Sequence, residues 1–360
     1  MIKKLTLGFF LLLSLQVFAQ KKSPKVIWIT LDGLRWQELF TGADSSLVGD
    51  SGYTEHLDDL AKEFWTNDPL QRREILMPFV WSTLVEQGQI YGNRELGNKV
   101  DCSNQMRFSY PGYNEILTGF ADDENIRSND KILNPNETLL EYVNKQNGFE
   151  NKVFAFGSWD VFPFIINEER SGVPVNAGFE KANESLTERE RFLNELQDEV
   201  IGPWGNVRLD VFTHHYAMEC LKSKKPKLMY IAYGETDDYA HDGKYDHYLK
   251  SARQTDDYIA KLWAYVQSDP FYKDQTTLII TTDHGRGTVP KDAWRYHGEG
   301  TPESSQIWFM AMGPNVPALG EVKTNAQLYQ NQVAATVAEA LGVSYNQSKA
   351  GESIPSVFKK

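Results

Sequence analysis

The chain predicts an α/β fold: a mostly parallel central sheet with helices on both faces. Three observations carry that expectation. Apolar and β-branched runs recur at 25–31, 152–156, 227–233 and 276–282, and each ends at a Gly or an Asp. Helical patterns fill the intervals between them. No internal repeat is visible. Strands without polar alternation are buried on both faces, and strand–helix alternation favours a parallel sheet over an antiparallel one.

Taken in order, Lys25–Leu31 is the first strand, a candidate for the sheet's centre, followed by Asp32 and Gly33. Leu34 to Phe40 opens a helix. Residues 55–66 and 70–87 read as helical, the second with Ile75, Leu76, Phe79, Val80, Leu84 and Val85 at a 3.6-residue rhythm. Pro78 is expected to kink or split it. Ile90–Asn93 reads as a short strand and turn. Ser109 to Gly119 reads as a short helix, with Ser109 either its cap or something more. An amphipathic helix follows near 137–147, then the strand at 152–158. Leu186 to Val200 is an acidic helix with a solvated face, and Ser185 with Glu188 fits a capping box. His214 and His215 fall on a helix at 208–222 and read as structural. After the strand at 227–234 comes a helix at about 245–267. Then follow the strand at 276–282, a strand from Gln306 to Met312, and a closing helix from Gln332 to Leu341.

The 360 residues suit one large domain at 25–345, with a helical and loop insertion at about 160–222 and a tail at 346–360. The net charge of −12 argues against nucleic acid as a main partner, and no nucleic-acid-binding surface is expected, because phosphate backbones need a basic footprint. A small phosphate ester remains compatible. Met1–Lys4 followed by the apolar run Leu5–Phe18 and Ala19 reads as a signal peptide at 1–19. A periplasmic or secreted protein is therefore expected, with no membrane anchor after cleavage. Cys102 and Cys220 either pair or remain free buried thiols.

The most informative stretch is Thr276 to Gly285. Six of its first seven residues are β-branched, and it stops at Asp283–His284–Gly285. Open α/β sheets place ligands at such strand ends. Carboxylate and imidazole are two-thirds of a typical catalytic zinc shell. Other strand ends and loops supply Asp32, Asp237 with His241 four residues on, and His297. Together these are six nitrogen and oxygen ligands, enough for two divalent ions with an open position on each. Zinc is the expected metal, with manganese or magnesium as alternatives. Ser109 is the candidate nucleophile.

The pieces Leu31–Gly33, Ser109–Gly119, Asp237–His241, Thr281–Gly285 and Tyr296–Gly298 resemble the alkaline phosphatase superfamily. That superfamily spans phosphatases, nucleotide pyrophosphatase/phosphodiesterases, sulfatases and cofactor-independent phosphoglycerate mutases. The resemblance implies an alkaline-phosphatase-like fold and a metal-dependent hydrolase of phosphoric esters, phosphatase or phosphodiesterase. It implies one ion held by Asp237, His241 and His297. A second ion would be held by Asp32, Asp283 and His284, with Ser109 as fourth ligand and nucleophile. Asn129 is similar to an Asn that donates to a phosphoryl oxygen in the family. Arg286 is a candidate phosphate clamp, and Trp36, Tyr110, Tyr113 and Trp294 are candidate stacking surfaces for a diester.

Two departures narrow the class. The sulfatase motif resembles C/S-x-P-x-R, and Tyr113 stands where its Arg belongs. The pyrophosphatase motif resembles Thr-Lys-Thr-Phe-Pro-Asn. Aligned on the proline it places its nucleophile on Ser109, its Lys on Phe108 and its Asn on Gly112. A sulfatase-like enzyme and a non-catalytic metal-binding protein remain as alternatives.

Overall fold

The computed structural model describes residues 23–183 and 185–358. The expected signal peptide lies outside the described residues. Eleven strands form among them: β1 Lys25–Leu31, β2 Gly88–Tyr91, β3 Asn98–Asp101, β4 Val153–Gly157, β5 Val175–Ala177, β6 Leu228–Tyr233, β7 Thr276–Thr281, β8 Gln306–Ile307, β9 Phe309–Met312, β10 Gly320–Glu321 and β11 Ala326–Tyr329.

Eight of these make the main sheet, in the order β10-β2-β9-β7-β1-β6-β4-β5. Only β9 runs against the rest, pairing antiparallel with β2 and β7. A smaller sheet holds β11-β3-β8. The α/β expectation is met, and β1 sits inside the main sheet between β7 and β6.

All residues of β1, β6 and β7 are buried. Their side chains alternate between two apolar layers. Ile27, Ile29 and Leu31 face one layer with the helices Asp210–Ser223 and Tyr245–Ser268. Val26 and Trp28 face the other, with the helices Ser109–Thr118, Leu139–Asn144 and Val333–Leu341. Each fully buried Ile, Leu or Val contributes about 1.5–3 kcal/mol over its exposed state. The two layers therefore anchor the strands, and the strands anchor the loops at their tips.

Pro78 does split the second helix. Pro69–Leu76 ends at Met77, and the chain restarts as a π-helical turn at Val80–Leu84. Asp256 bridges the break, accepting from the N–H groups of Phe79 at 2.8 Å and Val80 at 3.0 Å.

Two local expectations need correction. The strand expected at 306–312 is divided at Trp308: β8 joins the small sheet and β9 the main one. The Trp308 indole is buried and donates to the Leu34 carbonyl at 2.9 Å. The capping box is Thr187 with Glu190, not Ser185 with Glu188, because Ser185 adopts a left-handed φ of 47° outside the helix.

Cys102 and Cys220 are both free and buried, in opposite apolar layers. Within 160–222, β5 extends the main sheet alongside β4. Past residue 345, Ile354 and Val357 are buried in the second layer.

Candidate active site

The parallel register brings the three central strand ends level. Leu31 pairs with Tyr233, and Thr30 with Thr281. The residues that follow therefore emerge at one carboxyl edge: Asp32 after β1, Gly234 to His241 after β6, and Asp283–His284 after β7. The Asp32 N–H continues the ladder to the Tyr233 carbonyl at 2.9 Å. Gly33 has a φ of +58°, and a Cβ there would stand 2.7 Å from Asp237 Oδ1. Its N–H donates to Asp283 Oδ1 at 3.1 Å. The glycine after Asp32 thus lets the β1 loop pass between two carboxylates.

The sequence-predicted ligands converge. His284 Nε2 lies 3.4 Å from Asp32 Oδ1, 3.4 Å from Asp283 Oδ2 and 3.7 Å from Asp237 Oδ1. His297 Nε2 lies 3.6 Å from Asp237 Oδ1 and 2.9 Å from His241 Nε2. His241 Nε2 is also 3.2 Å from Asp237 Oδ2. Two groups each bring their ligand atoms within 4.8 Å of one another: Asp237, His284 and His297, and Asp32, Asp283 and His284. His241 joins the first of these from the exposed side, and His284 belongs to both.

The donor set fits a divalent cation. Asp32 Oδ1 and Asp283 Oδ2, both 3.4 Å from His284 Nε2, are buried and have no hydrogen-bond partner among the described residues. Buried polar atoms are normally satisfied, so orphans aimed at one centre mark a missing positive group. His284 Nδ1 donates to the Gly285 carbonyl at 3.0 Å, which leaves Nε2 as the free lone pair. Electrostatics agree. Burial, then the neighbouring Asp283 and Asp237, raise the Asp32 carboxyl well above its ordinary range. Burial also raises Asp283. Asp237 differs: burial opposes its charge, but Arg286, His241 and His297 outweigh burial and hold it well below the usual range. Burial and the adjacent His284 push His297 far down, keeping its imidazole neutral.

Ser109 reaches this cluster. It is the first residue of the helix Ser109–Thr118, whose cap is Phe108 without a side-chain bond, so its hydroxyl is not spent on capping. Ser109 Oγ lies 3.4 Å from His284 Nε2. The helix approaches closely because residue 112 is Gly: a Cβ there would meet the Asp283 carbonyl oxygen at 2.5 Å. Every residue of this helix is buried. Glu115 is satisfied by the N–H groups of Ser103 and Asn104 at 2.8–3.0 Å.

Arg286 is placed elsewhere than a phosphate clamp requires. Its guanidinium is buried behind Asp237, donating to Gly33 O at 3.2 Å, Arg295 O at 2.6 Å, Asp237 O at 3.0 Å and the Asp237 carboxylate. Asn129 stands beside the helix Ser109–Thr118. Its Oδ1 accepts the Tyr110 N–H at 3.0 Å, and the residue lines the cleft.

The cleft itself holds about 430 Å³ and is lined by Ser109, Asp32, Asn129, Asp237 and His241 together with residues that sequence reasoning passed over. Trp159, Val161 and Val207 supply its apolar lining, and among the described residues Lys131 is the only Lys or Arg there. Lys131 pairs with Asp160 at 2.7 Å. No motif marks these positions; Trp159 and Asp160 could have been found only by noting that they directly follow β4. The aromatic residues expected as stacking surfaces are engaged elsewhere. Tyr113, Tyr110 and Trp294 are buried, and Trp36 Nε1 donates to Gln306 at 2.9 Å.

Residues 47–359 match the profile of the family described as type I phosphodiesterase / nucleotide pyrophosphatase. The chain belongs to this family. It is a phosphoric ester hydrolase of the alkaline phosphatase superfamily, whose members are metal-dependent. Among solved structures, the wild-type alkaline phosphatase PafA is similar with a TM-score of 0.60 at 11% identity, over 93% of this chain and 99% of that one. The lipoteichoic acid synthase LtaP from Listeria monocytogenes gives 0.58 at 12% identity, over 91% of this chain and 74% of that one. A 2-O GAG sulfatase gives 0.55 at 14% identity, over 92% of this chain and 73% of that one. At these identities the likeness is one of fold. No curated protein matches by sequence. Among the described residues, no helix is long and apolar enough to cross a membrane.

Proposed function

We propose that the protein is a secreted phosphodiester hydrolase that uses Ser109 as nucleophile and two divalent ions, zinc by preference. The observation that carries the reading is the convergence of Ser109 Oγ on the buried, unpartnered Asp/His cluster. Asp237, His241 and His297 would hold one ion, and Asp32, Asp283 and His284 the other, beside Ser109. Ions bound there would supply Lewis acidity, easing deprotonation of the serine hydroxyl and neutralising the departing oxygen.

The chain's own residues do the rest. Ser109 Oγ attacks phosphorus in line while the bond to the leaving alcohol breaks, giving a covalent phosphoseryl ester. Water then cleaves that ester and restores the hydroxyl. Asn129, with its oxygen tied to Tyr110, presents its NH₂ to a non-bridging phosphoryl oxygen. Burial of Ser109, Asp32, Asp283 and His284 strengthens the contacts around the serine.

A diester is favoured over a monoester by the cleft's composition. A monoester carries two charged non-bridging oxygens and calls for cationic clamps. Arg286 does not reach the cleft, and Lys131 is already paired with Asp160. The second ester substituent lies instead along Trp159, Val161 and Val207. Turnover of bis-aryl phosphate, aryl phosphate and aryl sulfate in zinc tests the reading: diester turnover leading, and lost in Ser109→Ala, supports it.

A further inference from the structure

Tyr113 lies one turn beyond Ser109 on the same helix and is fully buried. Its ring packs edge-on against Phe162, with centroids 4.7 Å apart. Its hydroxyl donates to Asp32 Oδ2 at 2.8 Å. The other oxygen of Asp32, Oδ1, has no partner among the described residues and faces His284 Nε2 at 3.4 Å. One hydrogen bond thus decides which oxygen of Asp32 turns to the cluster. Side chains four apart share a helix face, so one rigid element carries both the Ser109 hydroxyl and the phenol that grips Asp32. The main chain between them, at Gly112, rests on the Asp283 carbonyl.

We propose that Tyr113 is a positioning residue that turns Asp32 Oδ1 into the ligand cluster and holds Ser109 in register with it. Partners that orient ligating carboxylates typically change metal affinity or activity 10–100-fold when removed. The inference rests on the Asp/His cluster being a metal site; it does not depend on which ester is hydrolysed.

Tyr113→Phe tests it, because the ring and its packing are kept. Tyr230→Phe is the control: Tyr230 is equally buried, and its hydroxyl pairs with Thr30 Oγ1 at 2.8 Å rather than with a ligand. Zinc retention is measured on each folded protein by competition with a chromophoric chelator, without substrate, and kcat and KM follow on bis-aryl phosphate. Tyr113→Phe is expected to weaken retention of the ion at Asp32, Asp283 and His284 about 10–100-fold and to lower kcat with KM nearly unchanged. Tyr230→Phe is expected to leave both as in the wild type, even where its unfolding midpoint falls as far. Equal zinc retention in the two variants overturns the proposal. Wild-type protein that binds no zinc overturns it together with the metal reading. Weakened retention in Tyr113→Phe with no ester turned over by the wild type upholds the positioning role and sinks the proposed function alone.

Discussion

The guanidinium of Arg286 donates to both the main-chain carbonyl and the carboxylate of Asp237, and its remaining bonds go to the carbonyls of Gly33 and Arg295. A buried charge pair that loses one partner costs about 3–5 kcal/mol. Arg286→Met is therefore expected to lower unfolding stability by several kcal/mol, with Arg286→Lys recovering part of it. Chemical denaturation measures this. A phosphate clamp would behave differently, with raised KM and stability intact.

Removing metal should destabilise the fold as well as stop turnover. The cluster brings three carboxylates together, with Asp32 and Asp283 already resisting ionisation through burial. A ligand at 100 times its Kd stabilises the native state by about 2.7 kcal/mol. Dialysis against a chelator is expected to lower the thermal midpoint, and zinc added back to restore it. An unchanged midpoint in both steps would mean that the cluster holds no ion.

Gly112→Ala has a sign set by competition. Alanine normally gains about 1 kcal/mol over glycine inside a helix. Here its Cβ meets the Asp283 carbonyl oxygen at 2.5 Å, and overpacking of that kind costs about 1–3 kcal/mol. Net destabilisation and a fall in kcat are expected, read by denaturation and steady-state kinetics.

Much of the fold was legible because β1, β6 and β7 are buried on both faces and so appear as unbroken apolar runs. β10 and β11 were not legible: they are short, partly exposed and marked by no run. Trp308 hid a division between two sheets, since an apolar residue at the switch reads like any strand interior. At the site, Asp and His announced themselves by type and by position at strand ends. For Arg286, sequence adjacency to His284 says nothing of direction; its side chain turns back beneath Gly33. Trp159 and Lys131 carry no chemical signature and become visible only when the strand ends are brought together.

Asp256 gives a pH dependence away from the site. Burial lifts its carboxyl to about 7, whereas an unfolded aspartate titrates near ~3.9. Between those values the folded protein keeps a proton that the unfolded chain has lost, so this group's contribution to stability falls as pH rises. Asp256→Asn removes the slope while weakening the bonds to Phe79 and Val80. The variant is expected to be less stable than wild type near about pH 5, with the gap narrowing toward about pH 8. Denaturation midpoints at both values check this; a gap that widens would contradict it.

Ser109 is proposed here as the nucleophile of a metal-dependent diester hydrolase. Its most direct test is the rate of bis-aryl phosphate hydrolysis by zinc-loaded wild type and Ser109→Ala at matched metal content. Wild-type turnover is expected to exceed turnover of aryl phosphate and aryl sulfate, to disappear on chelation, and to drop by at least ~1,000-fold in Ser109→Ala. Diester hydrolysis that survives in Ser109→Ala with its metal bound would contradict it.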